Sequence, residues 1–177
     1  MSEGWCSIKT VAQRGQITVE LAIQIPILLL LLFGVVQFGR VFYTYHSLQK
    51  ALRGGAGVLS RAANVNYCDI DDATIRDAKN LIVYGNLQGI GTPVVVGLTP
   101  DMIQILPERQ PSGDTTVTSC FCVQNDPDSC DAAVGGRVPE FVVVRLEEGF
   151  PVIMAFPMVT AAPINLQVSV RMPVTGS

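Results

Sequence analysis

The sequence is short of charge. Asp, Glu, Lys and Arg make up 15% of its 177 residues, against roughly 25% in an average soluble domain. No basic block occurs, the formal net charge is −3 and the isoelectric point is about 5.0. A nucleic-acid partner would need a basic stripe or patch, so none is expected. Disorder is excluded from the other side, because a disordered chain is charge-rich and apolar-poor, whereas 49% of this one is hydrophobic. Catalytic signatures are missing as well: there is no nucleophile elbow, no HExxH and no phosphate-binding glycine loop. The single histidine, His46, sits beside Tyr45 and reads as an interfacial side chain. Glu147 and Glu148 are adjacent, so at a strand end they point apart and read as solvated. The expectation is a protein without catalytic residues, cofactor or metal.

What the sequence does have is a concentrated apolar excess, with a mean hydropathy of +0.39. Ile17 to Gly39 reads ITVELAIQIPILLLLLFGVVQFG, 23 residues with one formal charge, Glu20. A membrane-spanning helix needs about 20 mostly apolar residues at 1.5 Å each. A buried core helix is the soluble alternative, but such helices rarely reach this length without polar relief. Pro26 is compatible with a span, since neighbours in a membrane can satisfy the freed carbonyl.

The flanks distinguish the kinds of export signal. A secretory signal ends in a small-x-small site, and none follows this run. A lipoprotein signal needs a cysteine just after the run, but Cys6 lies before it. A leader cut before the run fits: residues 1–15, MSEGWCSIKTVAQRG, are short and polar, carry a net +1 and end in Arg14-Gly15. Cutting after Gly15 would make Gln16 the new N-terminus and Glu20 the fifth residue. A glutamate in an apolar helix is costly unless paired or near the interface. In a helical stack, Glu20 of one chain could meet the new amine of its neighbour. The simpler alternative is an interfacial glutamate satisfying first-turn N–H groups.

Residues 13–40, QRGQITVELAIQIPILLLLLFGVVQFGR, resemble the N-terminus of TadE-like minor pilins (pseudopilins) of the tight-adherence, type IVb-like pilus. Gly15, Glu20, Pro26, Leu28 to Leu32 and Gly39-Arg40 match that pattern in order. The following ALRGGAGVLSRAAN is similar to the family's small-residue stretch, and Cys120, Cys122 and Arg171 fit more loosely. The resemblance implies processing by a prepilin peptidase at Arg14, Gly15 and Gln16, and assembly through Glu20 and Pro26. Gln16 departs from the Phe or Met of many type IV pilins. Implied partners are other pilins or pseudopilins in a filament, an inner-membrane assembly platform and the lipid bilayer. The implied location is the bacterial inner membrane, single-pass, with a cytoplasmic N-terminus and a periplasmic head, and then a surface filament. Counting basic residues alone, Lys9 and Arg14 before the span against Arg40, Lys50 and Arg53 after it, favours the opposite orientation. The resemblance overrules that count, because its leader motif requires a cytoplasmic N-terminus, where prepilin peptidases act. Two rival readings are an accessory protein retained in the inner membrane and a membrane-tethered metal or redox protein using Cys120 and Cys122.

Beyond the span, Val41, Tyr45, Leu48, Leu52, Ala56 and Leu59 recur at spacings of three and four, one apolar face of a continuing helix. The expected organisation is a leader over 1–15, a transmembrane helix over 16–39, an amphipathic continuation over 40–63 and a head over 64–177. Gly54, Gly55 and Gly57 imply close packing or a bend. Asp71 or Asp72 can cap a second helix ending near Tyr84, before Gly85-Asn86. Met102–Leu106, Thr115–Val123, Glu140–Leu146 and Ile164–Met172 read as strands. Residues 149–163, GFPVIMAFPMVTAAP, read as an apolar loop rather than a second span. The predicted class is α+β, a long N-terminal helix packed on a small antiparallel sheet, pilin-like.

Cys6 would leave with the leader, and Cys68, Cys120, Cys122 and Cys130 would remain. An exported head permits disulfides. Cys120 and Cys122 lie two apart, share a strand face and cannot comfortably bond each other. Each should pair outward, and the favoured assignment is Cys122–Cys130 with Cys68–Cys120. A Cys₄ zinc site is a poorer match, because C-x-C lacks the usual spacing. Asp126, Asp128 and Asp131 are spaced acids without the glycine and glutamate of an EF-hand. Outside residues 16–39 the chain still carries only 26 charges in 153 residues. A head so sparsely charged suits a subunit that hides surface against neighbours.

Overall fold

The computed structural model describes residues 9–110, 116–120, 122–123, 129–131, 133, 135–156, 159–160 and 162–176. Helix α1, Lys9–Arg61, is 53 residues long and therefore about 80 Å from end to end. It starts seven residues before the expected Gln16 and stops two before the expected Ala63. Pro26 lies inside it without ending it. The periodic face is the one that packs: Leu48, Leu52, Ala56 and Leu59 are fully buried, and Tyr45 packs beside them.

Helix α2, Ala73–Tyr84, starts where an acceptor is available for its free N–H groups. Asp72 Oδ1 accepts from the backbone N–H of Thr74 at 2.8 Å and of Ile75 at 3.3 Å, a side-chain N-cap. Its Oδ2 accepts from the Asn66 N–H at 3.1 Å, which fixes the preceding loop. Gly85 ends the helix in the left-handed conformation, φ 72°, where a glycine carries no Cβ penalty. Ile75, Ala78, Ile82 and Val83 form the buried face of α2, which lies against α1.

The main sheet is antiparallel and comprises β1 (Ile103–Arg109), β2 (Thr118–Ser119), β3 (Phe141–Leu146) and β8 (Ser169–Pro173), in the order β2-β1-β3-β8. Val142, Val144 and Leu146 of β3 face the core while their neighbours face outward, the period-two signature of a half-buried strand. Arg171 on β8 bonds Glu108 on β1 at 2.8 Å and lies 4.1 Å over the Phe141 ring, so one side chain joins three strands. After β8 the chain reaches the far end of α1, where Thr175 N–H donates to the Ser60 carbonyl at 2.7 Å. The molecule is α+β, with its N-terminal helix laid across a small antiparallel sheet.

Three expectations need correction. Of the strand expected over Thr115–Val123, the described residues form only Thr118–Ser119, and Thr115 and Phe121 lie outside them. The strand expected over Ile164–Met172 is two: β7 (Ile164–Leu166) leaves the main sheet and pairs with β4 (Phe150–Val152), and β8 stays. Residues 149–163 are therefore not a plain loop. They hold β4 and a hairpin of β5 (Ala155–Phe156) with β6 (Val159–Thr160). Pro151 is tolerated because a two-stranded ribbon is all edge, where a missing N–H need not break a ladder.

Candidate functional site

The candidate site is the N-terminal arm of α1. Nothing in the helix marks the expected cut: α1 runs unbroken through Arg14, Gly15 and Gln16. Gly15 and Gln16 are exposed, and no atom lies within 4 Å of where a Gly15 Cβ would be. Glu20 is exposed on the same arm and accepts from Gln24 Nε2 at 3.3 Å, one turn along. Pro26 has no N–H to donate, so the Ala22 carbonyl loses its helical partner. Along this arm the apolar side chains are uncovered: Ile17, Leu21, Leu30 and Phe38 are each more than half exposed. None of its most apolar 18-residue window is buried, at a mean hydropathy of 2.5. Among the described residues, one helix is thus long and apolar enough to cross a membrane, which points to single-pass anchoring.

The arm and the head are one helix with two chemistries. Before about residue 40 the apolar surface is presented outward on all sides, and from Tyr45 onward it is turned onto the sheet and α2. A helix apolar all round is one that another medium must cover.

The cysteines form two disulfides, Cys68–Cys122 and Cys120–Cys130. As expected, Cys120 and Cys122 each pair outward, but the partners are exchanged relative to the assignment favoured from sequence. The reason is strand direction. β2 runs antiparallel to β1, with Thr118 opposite Arg109 and Ser119 opposite Glu108, and Cys120 N–H donates to the Pro107 carbonyl at 2.9 Å. Each further residue moves back toward the start of β1. Cys122 thereby reaches the recess shared by Cys68, Tyr67 and Ile105, leaving Cys120 for Cys130. With their sulfurs bonded to each other, the four cysteines offer no thiolate to zinc.

Other chemistry-bearing residues are scattered. His46 is exposed and contacts the rings of Phe42 at 6.5 Å and Tyr45 at 5.9 Å. Glu147 and Glu148 are exposed at a shallow recess beside Asp101 and Asn165. Among the described residues, no three His, Cys, Asp or Glu side chains converge as a metal site would need. Asp126 and Asp128 lie outside the described residues. Asp131 accepts from Asn66 Nδ2 at 3.3 Å and from the Ala133 N–H at 3.0 Å, ordinary loop bonding. Among the described residues, Tyr67 is the strongly perturbed titrating group: burial, and secondarily the Asp72 charge, push its pKa up to about 12. Its hydroxyl donates to the Leu59 carbonyl at 3.1 Å, a structural bond between loop and helix.

Residues 15–56 match the family described as TadE-like protein. The match begins at Gly15 and covers the uncovered arm and most of the packed half of α1. No curated protein and no solved structure matches the chain.

Proposed function

From this TadE-like helix, a part of pilus structural and accessory proteins rather than of enzymes, we propose that the chain is a minor pilin or pseudopilin of a tight-adherence, type IVb-like pilus. The observation that carries the reading is one helix whose first half holds Gly15 and Glu20 and exposes a long apolar run, and whose other half is the spine of a folded head. A prepilin peptidase cuts after Gly15 and frees the Gln16 amine. The helix holds the subunit in the inner membrane until it is drawn into, or to the tip of, an adhesion filament. There the helices of neighbouring subunits cover the surface that lipid covered before. Glu20 of one subunit meets the Gln16 amine of the next, so the carboxylate is neutralised only in correct register. Disulfides persist in an oxidising compartment, and Cys68–Cys122 and Cys120–Cys130 support a periplasmic head against the bare count of basic residues.

Intact mass and N-terminal sequencing of protein isolated from membranes test the processing step. A mature chain beginning at Gln16 is expected, and one beginning at Met1 sinks it.

A further inference from the structure

Two segments of the head carry no charge at all. Residues 85–100, GNLQGIGTPVVVGLTP, and 149–170, GFPVIMAFPMVTAAPINLQVSV, contain no Asp, Glu, Lys or Arg. The topology brings the described residues of both to the same end of the molecule. α2 packs back along α1, with Ile82 and Ala78 against Gly55, so the chain leaves α2 at Gly85 pointing toward the membrane half of α1. β1 starts and β3 ends at that side too, since Ile103 pairs with Leu146, and both uncharged segments connect there.

Their apolar side chains are not all spent on the core. Leu98 and Phe150 are buried, but Val96 is 91% exposed, and Ile153 and Ile90 are each 73% exposed. Val94 to Val96 and Phe150 to Ile153 meet Tyr43 and Thr44 of α1 around an open, mostly apolar recess of about 340 Å³. Tyr43 follows the last residues of the apolar run, Phe38 and Gly39, by one turn, roughly 7 Å along the axis. That is the depth of the headgroup layer beside a span whose hydrocarbon core ends with the run. Phe42 and Tyr43, both largely exposed, sit there as interfacial aromatic side chains do.

We propose that the face of the head beside Tyr43 is a second membrane-binding element: Val94–Val96 and Phe150–Ile153 dip into the headgroup layer beside the span, with the exposed acids Asp101, Glu147 and Glu148 bordering that face. The surface is continuous with the uncovered surface of α1, and a contiguous apolar patch of this kind requires a cover. Lipid at the emergence of the helix is the cover its position supplies. The proposal rests on the membrane anchoring of α1 and not on the filament reading. Its consequence is orientation: the head stands on the bilayer at a fixed tilt, instead of swinging on a single helix.

The test uses the full chain in phosphatidylcholine vesicles with Trp5→Phe as background, which removes the one native tryptophan. Tryptophan is placed singly at Val96, Ile153, Leu30 and Val138, all exposed positions. Val138 shares a recess with Ala62 and Gly176 at the opposite end of the head. Lipids brominated at shallow acyl positions should quench Val96→Trp and Ile153→Trp roughly twofold or more, as for residues buried at the acyl boundary. Val138→Trp should be unaffected, and deep bromines should quench Leu30→Trp. Quenching at 96 and 153 no greater than at 138 overturns the proposal while Leu30→Trp shows the anchor intact. Emission at 96 and 153 that shifts to the blue only at high protein-to-lipid ratio, without lipid quenching, assigns the patch to a second copy and also overturns it. An unquenched Leu30→Trp overturns the anchoring itself.

Discussion

Gly55 on α1 and Ile82 on α2 meet with no room for a methyl group between them. A Cβ on Gly55 would collide with Cγ1 and Cδ1 of Ile82 and come 3.1 Å from the Ala78 carbonyl oxygen. Gly54 and Gly57, in the same turn but on other sides of the helix, have nothing within 4 Å of the same position. Gly55→Ala should therefore destabilise the head by about 1–3 kcal/mol, the usual cost of overpacking a close contact. Gly54→Ala and Gly57→Ala should be neutral or stabilising by up to about 1 kcal/mol through helix propensity alone. Urea unfolding of the full chain in detergent distinguishes them, and equal effects at all three positions would refute the packing role of Gly55.

That contrast also marks how far the sequence could be read. Three glycines in four positions suggest close packing or a bend, but only the placement of α2 selects Gly55. The spacing of Leu48, Leu52, Ala56 and Leu59 is legible because helical period alone decides which side is apolar, and Asp72 is legible because capping is local chemistry. The disulfide partners of Cys120 and Cys122 are not, since they depend on the direction in which β2 runs along β1. Residues 149–163 mislead for a related reason: prolines argue against a central strand, and here the strands are short edge pairs that Pro151 does not disrupt. The candidate arm was the most legible part, because an apolar run with one acid at a fixed distance from Arg-Gly needs no tertiary information. The membrane-facing side beside Tyr43 was not, as it arises only when two distant uncharged segments are folded to one end.

The two disulfides close loops of very different length. Cys68–Cys122 spans 54 residues and Cys120–Cys130 spans 10. Chain-entropy arguments give about 4 kcal/mol for the longer and nearer 2.7 kcal/mol for the shorter. Paired replacement of Cys68 and Cys122 by serine should lower the unfolding midpoint more than paired replacement of Cys120 and Cys130. Chymotrypsin, cutting after Phe121, and a protease cutting at Asp126 or Asp128 separate the three clustered cysteines for mass spectrometry. Recovery of Cys68 linked to Cys120 would overturn the connectivity.

Tyr67 should give the head an alkaline limit. Its pKa rises from 10.0 to about 12, first through burial and then through the Asp72 charge. The folded protein thus holds the neutral phenol more firmly than the unfolded chain does. That contribution is complete below pH 10 and is lost as the pH rises toward about 12. Stability should decline across that window, and Tyr67→Phe should flatten the decline while also losing the bond to the Leu59 carbonyl. Ultraviolet titration of the phenolate should show a late step that disappears in Tyr67→Phe. A late step that persists in the variant assigns it elsewhere.

Glu20 is the sharpest test of assembly, because it has two possible uses with different consequences. If it only satisfies first-turn donors or an interfacial position, replacing it changes little beyond a few tenths of a kcal/mol at the helix end. If it pairs with the Gln16 amine of a neighbour inside the filament, the pair is buried. Removing one member of a buried pair costs about 3–5 kcal/mol, equivalent to a hundredfold or more in an association constant by the usual arithmetic of roughly 1.4 kcal/mol per decade. Glu20→Ala and Glu20→Gln should leave the amount of membrane-inserted, processed protein unchanged, since both make the span more apolar or less charged. They should nevertheless be nearly absent from sheared filaments. Glu20→Asp, which keeps the charge on a shorter reach, should fall between. Quantitative blotting of membrane and filament fractions separates the two uses. Equal incorporation of Glu20→Gln and the native chain would eliminate the pairing and leave Glu20 an interfacial residue.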